Sequence, residues 1–144
     1  MHEDIKIIEA SGDNLQYVQP IARLLGQLSS APVEFNEESY KALTSSPSSR
    51  LYLLLCEGSV CGMLTLAHYL APTGRKLWIE DVVVDSAMRG RSLGRKLVEH
   101  AIAEARTMGG TLMLPSKPAR VAANALYRKA GFQPKETNVY KMNL

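Results

Sequence analysis

The stretch Val82-Val83-Val84, followed five residues on by Arg89-Gly90-Arg91-Ser92-Leu93-Gly94-Arg95, decides how the rest of the chain is read. Consecutive β-branched valines predict a buried strand, and the basic segment with its two glycines predicts a tight turn into a helix. Such a junction suits an anion. Glycines let the backbone pass close to a ligand, the first helical amides have no carbonyl partner within the helix, and the helix dipole adds partial positive charge. Arg89, Arg91 and Arg95 add charge of the same sign. A turn with no ligand remains the plainer account of Gly90 and Gly94 taken alone.

The helix after the glycines is well specified. Leu93, Leu97, Val98, Ala101, Ile102, Ala105 and Met108 recur at helical spacing, while Arg95, Lys96, Glu99, Glu104 and Arg106 fill the opposite face. Gly109-Gly110 ends it. A Walker loop is excluded, because Gly90 and Gly94 enclose too few residues and Arg95-Lys96-Leu97 follows in place of Lys-Ser/Thr. A dinucleotide fingerprint requires an acidic residue at the end of the next strand, which here ends in Leu112-Met113-Leu114-Pro115-Ser116.

Composition agrees with one globular domain over residues 1–144, at 46% hydrophobic and 22% charged residues. The net charge of +3, from 17 basic and 14 acidic residues, comes without a Lys/Arg block, so neither a nucleic-acid partner nor a membrane is expected. Glu3 and Asp4 before a short apolar strand do not make a signal peptide, and no apolar run is long enough to span a bilayer. The expected location is the cytoplasm. There the expectation for Cys56 and Cys61, on the two arms of one hairpin, is a pair of buried thiols and not a disulfide or metal site. His2, at the start of the chain, His68 and His100 match no ligand spacing, so no metal is expected.

The pattern predicts strands at 5–9, 50–56, 60–69, 76–84, 111–114, 132–134 and 139–143. It predicts helices from Asp13 as N-cap through Leu28, with Pro20 bending it or starting a new turn, and at 36–43, 92–108 and 119–130. The strand at 111–114 is expected to lie parallel to that at 76–84, since a helix intervenes.

The valine strand with its glycine loop resembles the central motif of the GNAT superfamily of N-acetyltransferases, Arg/Gln-x-x-Gly-x-Gly/Ala. Arg89, Ser92 and Gly94 take its fixed positions. Ser92 replaces the usual glycine there, and is expected to offer its amide as a helical residue. Asn124-Ala125-Leu126-Tyr127-Arg128-Lys129-Ala130-Gly131-Phe132 resembles the family's Asn-x-x-Tyr-x-Lys-x-Gly-Phe helix, in the right order along the chain. The resemblance covers most of the sequence. It implies an α/β fold with a mixed, mostly antiparallel central sheet, a splayed parallel strand pair and about four flanking helices.

By the same resemblance, acetyl-CoA is the co-substrate. The backbone of Arg89, Gly90, Arg91, Ser92, Leu93, Gly94 and Arg95 holds its diphosphate, Asn124 contacts it, and the main chain of Val82, Val83 and Val84 pairs with the pantetheine arm. Two parallel strands are then expected to part after Val84, and Tyr127 to protonate the departing thiolate. The family often places a base on the valine strand. Simple alternation puts Trp78, Glu80, Val82 and Val84 on one face, which makes Glu80 the candidate and Asp81 a weaker one. The acceptor site is expected near residues 29–38 and 68–76. Glu34, Glu37 and Glu38 would suit a cationic amine there or simply be solvated, and Lys117 and Arg120 would suit an anionic group. The reading is N-acetylation of a primary amine on a small molecule, by direct transfer within a ternary complex. Its rivals are a protein or peptide N-acetyltransferase and a noncatalytic acetyl-CoA-binding module. The family also allows a homodimer, on which the residues are silent.

Overall fold

A computed structural model describes residues 4–144, so that His2 and Glu3 lie outside the described residues. Five strands pair in chain order: β1 (Ile5–Glu9), β2 (Ser49–Cys56), β3 (Ser59–Ala71), β4 (Gly74–Val84) and β5 (Thr111–Met113). All neighbours are antiparallel except β4 and β5, which run parallel because a helix connects them. The helices are α1 (Val18–Leu28), α2 (Glu37–Ser45), α3 (Leu93–Met108) and α4 (Val121–Ala130).

Each sheet face carries its own core. On one, Leu54, Leu64, Leu66, Leu77 and Ile79 meet Leu93, Leu97, Val98 and Ala101 of α3 and Tyr127 of α4. On the other, Leu51, Leu53, Leu55, Met63 and Val83 meet Val18, Ile21 and Leu24 of α1 and Tyr40 of α2. The unbroken run Leu51-Tyr52-Leu53-Leu54-Leu55 follows from this, since a strand covered on both faces needs no polar alternation.

Several expectations need correction. The first helix begins at Val18 after a single 3-10 turn (Leu15–Tyr17), and Asp13 does not cap it. Pro20 falls within the first turn of α1, where its missing N–H costs no hydrogen bond. Asn36 does cap α2, accepting from the Ser39 amide at 2.9 Å, but the helix runs two residues past Leu43. The strands expected at 132–134 and 139–143 do not form. β5 spans only Thr111–Met113 and offers little edge to pair with, so Phe132 instead packs edge-on against Tyr127.

Cys56 and Cys61 are joined as a disulfide, not held as separate thiols. The register shift opposite Leu54/Leu55 makes Cys61 an extra residue of β3 and turns it to the same core as Cys56. Their Cα atoms stand 6.1 Å apart, within reach of a bridge.

Candidate active site

The site begins where the sheet stops being continuous. β4 and β5 pair only from Lys76–Thr111 to Trp78–Met113, so they part well before Val84, the point where the sequence reading put the divergence. From Ile79 onward one edge of β4 therefore has no neighbouring strand among the described residues, and its backbone donors and acceptors face a cavity of about 730 Å³. That volume suits a small-molecule site. Ile79 through Val84 form one wall; Leu114 to Lys117 and part of α4 form the other.

A bulge in β4 reorders the side chains. Thr65 pairs with Glu80 but Met63 with Val83, so Asp81 and Val82 stand opposite Leu64 alone, and Asp81 takes a left-handed conformation with φ of 52°. Alternation fails at that point. Glu80 shares its face with Val83, toward α1 and α2, whereas Val82 and Val84 pack with Ile79 toward α3. The grouping of Glu80 with Val82 and Val84 is thereby overturned, yet Glu80 still lines the cavity. Burial, and next the Asp81 carboxylate, push the Glu80 carboxyl above the usual range. Asp81 also lines the cavity but is exposed.

Tyr127 reaches the same cavity from the opposite face. Burial pushes its phenol up, against the pull of the neighbouring Arg120 guanidinium, so the hydroxyl is held protonated at neutral pH. Such a group can give a proton to a thiolate.

At the end of β4, Asp85 caps a single 3-10 turn (Ser86–Met88), and the glycine loop follows. Gly90 has φ of 87° and Ser92 φ of 59°, so Ser92 sits in the left-handed N-cap position of α3 and not inside the helix as expected. That conformation explains why glycine suits the position. The first intrahelical bond runs from the Lys96 amide to the Ser92 carbonyl at 3.2 Å, which leaves the amides of Leu93, Gly94 and Arg95 ahead of the helical ladder. Arg89 and Gly94 line the cavity directly. Leu93 turns its side chain into the core, and Arg95 pairs with Glu99 at 2.7 Å outside the cavity.

Asn124 does not face this cavity. Its side-chain amide donates to the Lys117 carbonyl at 3.0 Å, tying the loop after β5 to α4. It lines a second cavity of about 560 Å³, which shares the wall of Leu114, Ser116 and Tyr127 with the first. Of the expected acceptor residues, Lys117 and Arg120 line the first cavity, while Glu34, Glu37, Glu38 and all of 68–76 lie away from it. The hairpin tip is at the far end of β4. Gln27 and Leu28, at the C-terminal end of α1, and Ser116 join the lining without having been singled out from the sequence. Gln27 and Arg23 are spaced i, i+4 on the polar side of α1, which is the signal that could have marked them.

The Acetyltransferase (GNAT) family model matches residues 21–132. The chain belongs to this acetyltransferase family. Glucosamine 6-phosphate N-acetyltransferase 1 from Oryza sativa subsp. japonica is 31% identical over 127 residues, covering 81% of this chain and 74% of the relative. The fold matches that of glucosamine-6-phosphate N-acetyltransferase from Arabidopsis thaliana with a TM-score of 0.80 at 24% identity, covering 97% and 99% of the two chains. It also matches an aminoglycoside N-acetyltransferase solved in complex with CoA, with a TM-score of 0.79 at 12% identity and 99% and 97% coverage. The family identifies the chain as an acetyltransferase.

Proposed function

We propose that the protein transfers an acetyl group from acetyl-CoA to a primary amine of a small molecule, directly between the two substrates. The observation that carries this reading is the cavity itself, where Glu80 enters from one face of the sheet and Tyr127 from the other. The unpaired edge of β4 fits an extended amide-bearing arm, and the amides opening α3 fit a diphosphate. Acetyl-CoA supplies the thioester carbonyl carbon that the amine nitrogen attacks.

A lysine-like amine has a reference pKa near 10 and is mostly protonated at neutral pH. Glu80 takes that proton, directly or through water, and its raised pKa suits a base. Backbone amides of the bulged segment at Val82–Val84 polarise the acetyl carbonyl. As the C–N bond forms and the C–S bond breaks, Tyr127 gives its proton to the leaving sulfur. The nitrogen, cationic again once the C–N bond has formed, loses its second proton as the intermediate collapses and returns it through water to the Tyr127 phenolate. The products are an acetamide and free CoA thiol, and Glu80 releases the first proton to solvent.

The test is thiol release from acetyl-CoA with a panel of amines. Glucosamine 6-phosphate heads it because of the rice relative, followed by aminoglycosides and peptides with free N-termini. Turnover with a small amine is the expected result. Turnover with peptides alone would make it a protein acetyltransferase, and acetyl-CoA binding without any thiol release would make it a binding module.

A further inference from the structure

Asp85 sits between the catalytic strand and the anion-binding loop, and every polar group it has is engaged. Its amide donates to the Cys61 carbonyl at 2.8 Å and its carbonyl accepts from the Met88 amide at 2.8 Å. One carboxylate oxygen accepts from Arg23 Nη1 at 2.7 Å; the other accepts from the Ala87 amide at 3.1 Å and from Gln27 Nε2 at 3.3 Å. Gln27 completes the clasp by accepting from the Ser86 amide at 2.8 Å through its own Oε1. One turn of α1 therefore holds both residues from which the loop departs.

Stability alone does not account for this arrangement. The Asp85 side chain is 13% exposed but that of Arg23 is 53% exposed, so water screens the arginine end and limits what the pair contributes to folding. Charge does account for it. Asp85 precedes Arg89 by four residues, and the turn closed by the Met88 amide on the Asp85 carbonyl brings them nearer than the about 14 Å of an extended stretch, toward the screening length of about 10 Å at 0.1 M salt. An uncompensated carboxylate there opposes any anion bound at the loop.

We propose that Arg23 and Gln27 are positioning residues for the diphosphate loop. Arg23 cancels the Asp85 charge that would repel the ligand, and Gln27 fixes the orientation in which the loop leaves β4. This rests on the reading that the loop holds the diphosphate of acetyl-CoA.

The experiment is calorimetric binding of acetyl-CoA, with KM and kcat for any accepted amine, to the parent, R23M, R23K, Q27A and the double variant R23M/D85N. Asn at 85 keeps the oxygen that accepts from Ala87 while removing the charge. R23M should weaken acetyl-CoA binding and raise its KM by about five- to tenfold with little change in kcat. The double variant and R23K should return to within about twofold of the parent, because each removes the bare negative charge. Q27A should raise KM without the double variant's charge rescue. An R23M protein with parental affinity, or a double variant as weak as R23M, overturns the proposal, as does a fall in melting temperature with unchanged affinity, the mark of a merely structural pair. A parent that fails to bind acetyl-CoA would instead overturn the functional reading on which this one stands.

Discussion

At the scale of single residues, burial and backbone conformation assign different costs to the groups the chemistry uses. Tyr127 is held protonated at the cavity wall, and as the proposed donor to the thiolate its replacement in Tyr127→Phe should lower kcat by about a hundredfold or more with little change in acetyl-CoA affinity. Single-turnover rates beside calorimetry check this, and an unchanged kcat excludes the proton-donor role. Glu80 has its folded pKa raised above the unfolded value of 4.5, mainly by burial. Protein with Glu80 therefore has its full stability below that value and loses some as pH rises through the folded pKa. Glu80→Gln cannot ionise, so it should melt above the parent at pH 7 and level with it at pH 4, while losing the acidic limb of the kcat/KM profile. Equal melting temperatures at both pH values would show that the carboxylate carries no burial cost. Ser92 is the mirror case, a left-handed residue with a side chain, and Ser92→Gly should stabilise the fold by up to about 1 kcal/mol in denaturant unfolding.

At the scale of elements, the glycine loop and β4 define the slot between them. A Cβ at Gly94 would lie 3.8 Å from Val84 Cγ2 and 4.0 Å from Leu126 Cδ1, ordinary contact that the fold accepts. The branched methyls of Gly94→Val would instead project at the cavity wall. That variant should fold as the parent does and bind acetyl-CoA at least about tenfold more weakly, and calorimetry with unchanged affinity would remove the loop from the site. The sequence made this loop and α3 legible because their signals are local: glycines, a basic turn and a long helical period. It made β1 and the helix of Tyr127 legible for the same reason. The bulge at Asp81 was hidden because alternation assumes a uniform period, and its trace is an Asp in a valine-rich strand, a residue type that tolerates left-handed backbone. The disulfide was hidden because a rule about compartments stood in for geometry that only the second bulge creates. Strands at 132–134 and 139–143 were read from pattern alone, and a pattern cannot supply the partner edge that a strand needs.

At the scale of the whole molecule, the two cores lie on opposite faces and are joined through the strands, but the joint is incomplete where β4 and β5 separate. The wall beyond Trp78–Met113 is formed by α4 and the loop after β5, so the cavity is a seam between the α4 side and the end of α1. A ligand that fills it should act as a missing strand, bridging the α4 side and the end of α1 across the slot. Binding to the folded state alone raises stability by mass action, about 2.7 kcal/mol at a ligand concentration a hundred times Kd. For a chain of 144 residues this corresponds to a rise in melting temperature of roughly 5–10 °C. Thermal melts across an acetyl-CoA titration measure it. The shift should shrink in Gly94→Val, which obstructs the slot, and persist in Tyr127→Phe, which removes a proton donor but leaves the cradle whole. Retention of the full shift in Gly94→Val would place the ligand elsewhere, and its loss in Tyr127→Phe would make that tyrosine part of the binding surface instead of the chemistry.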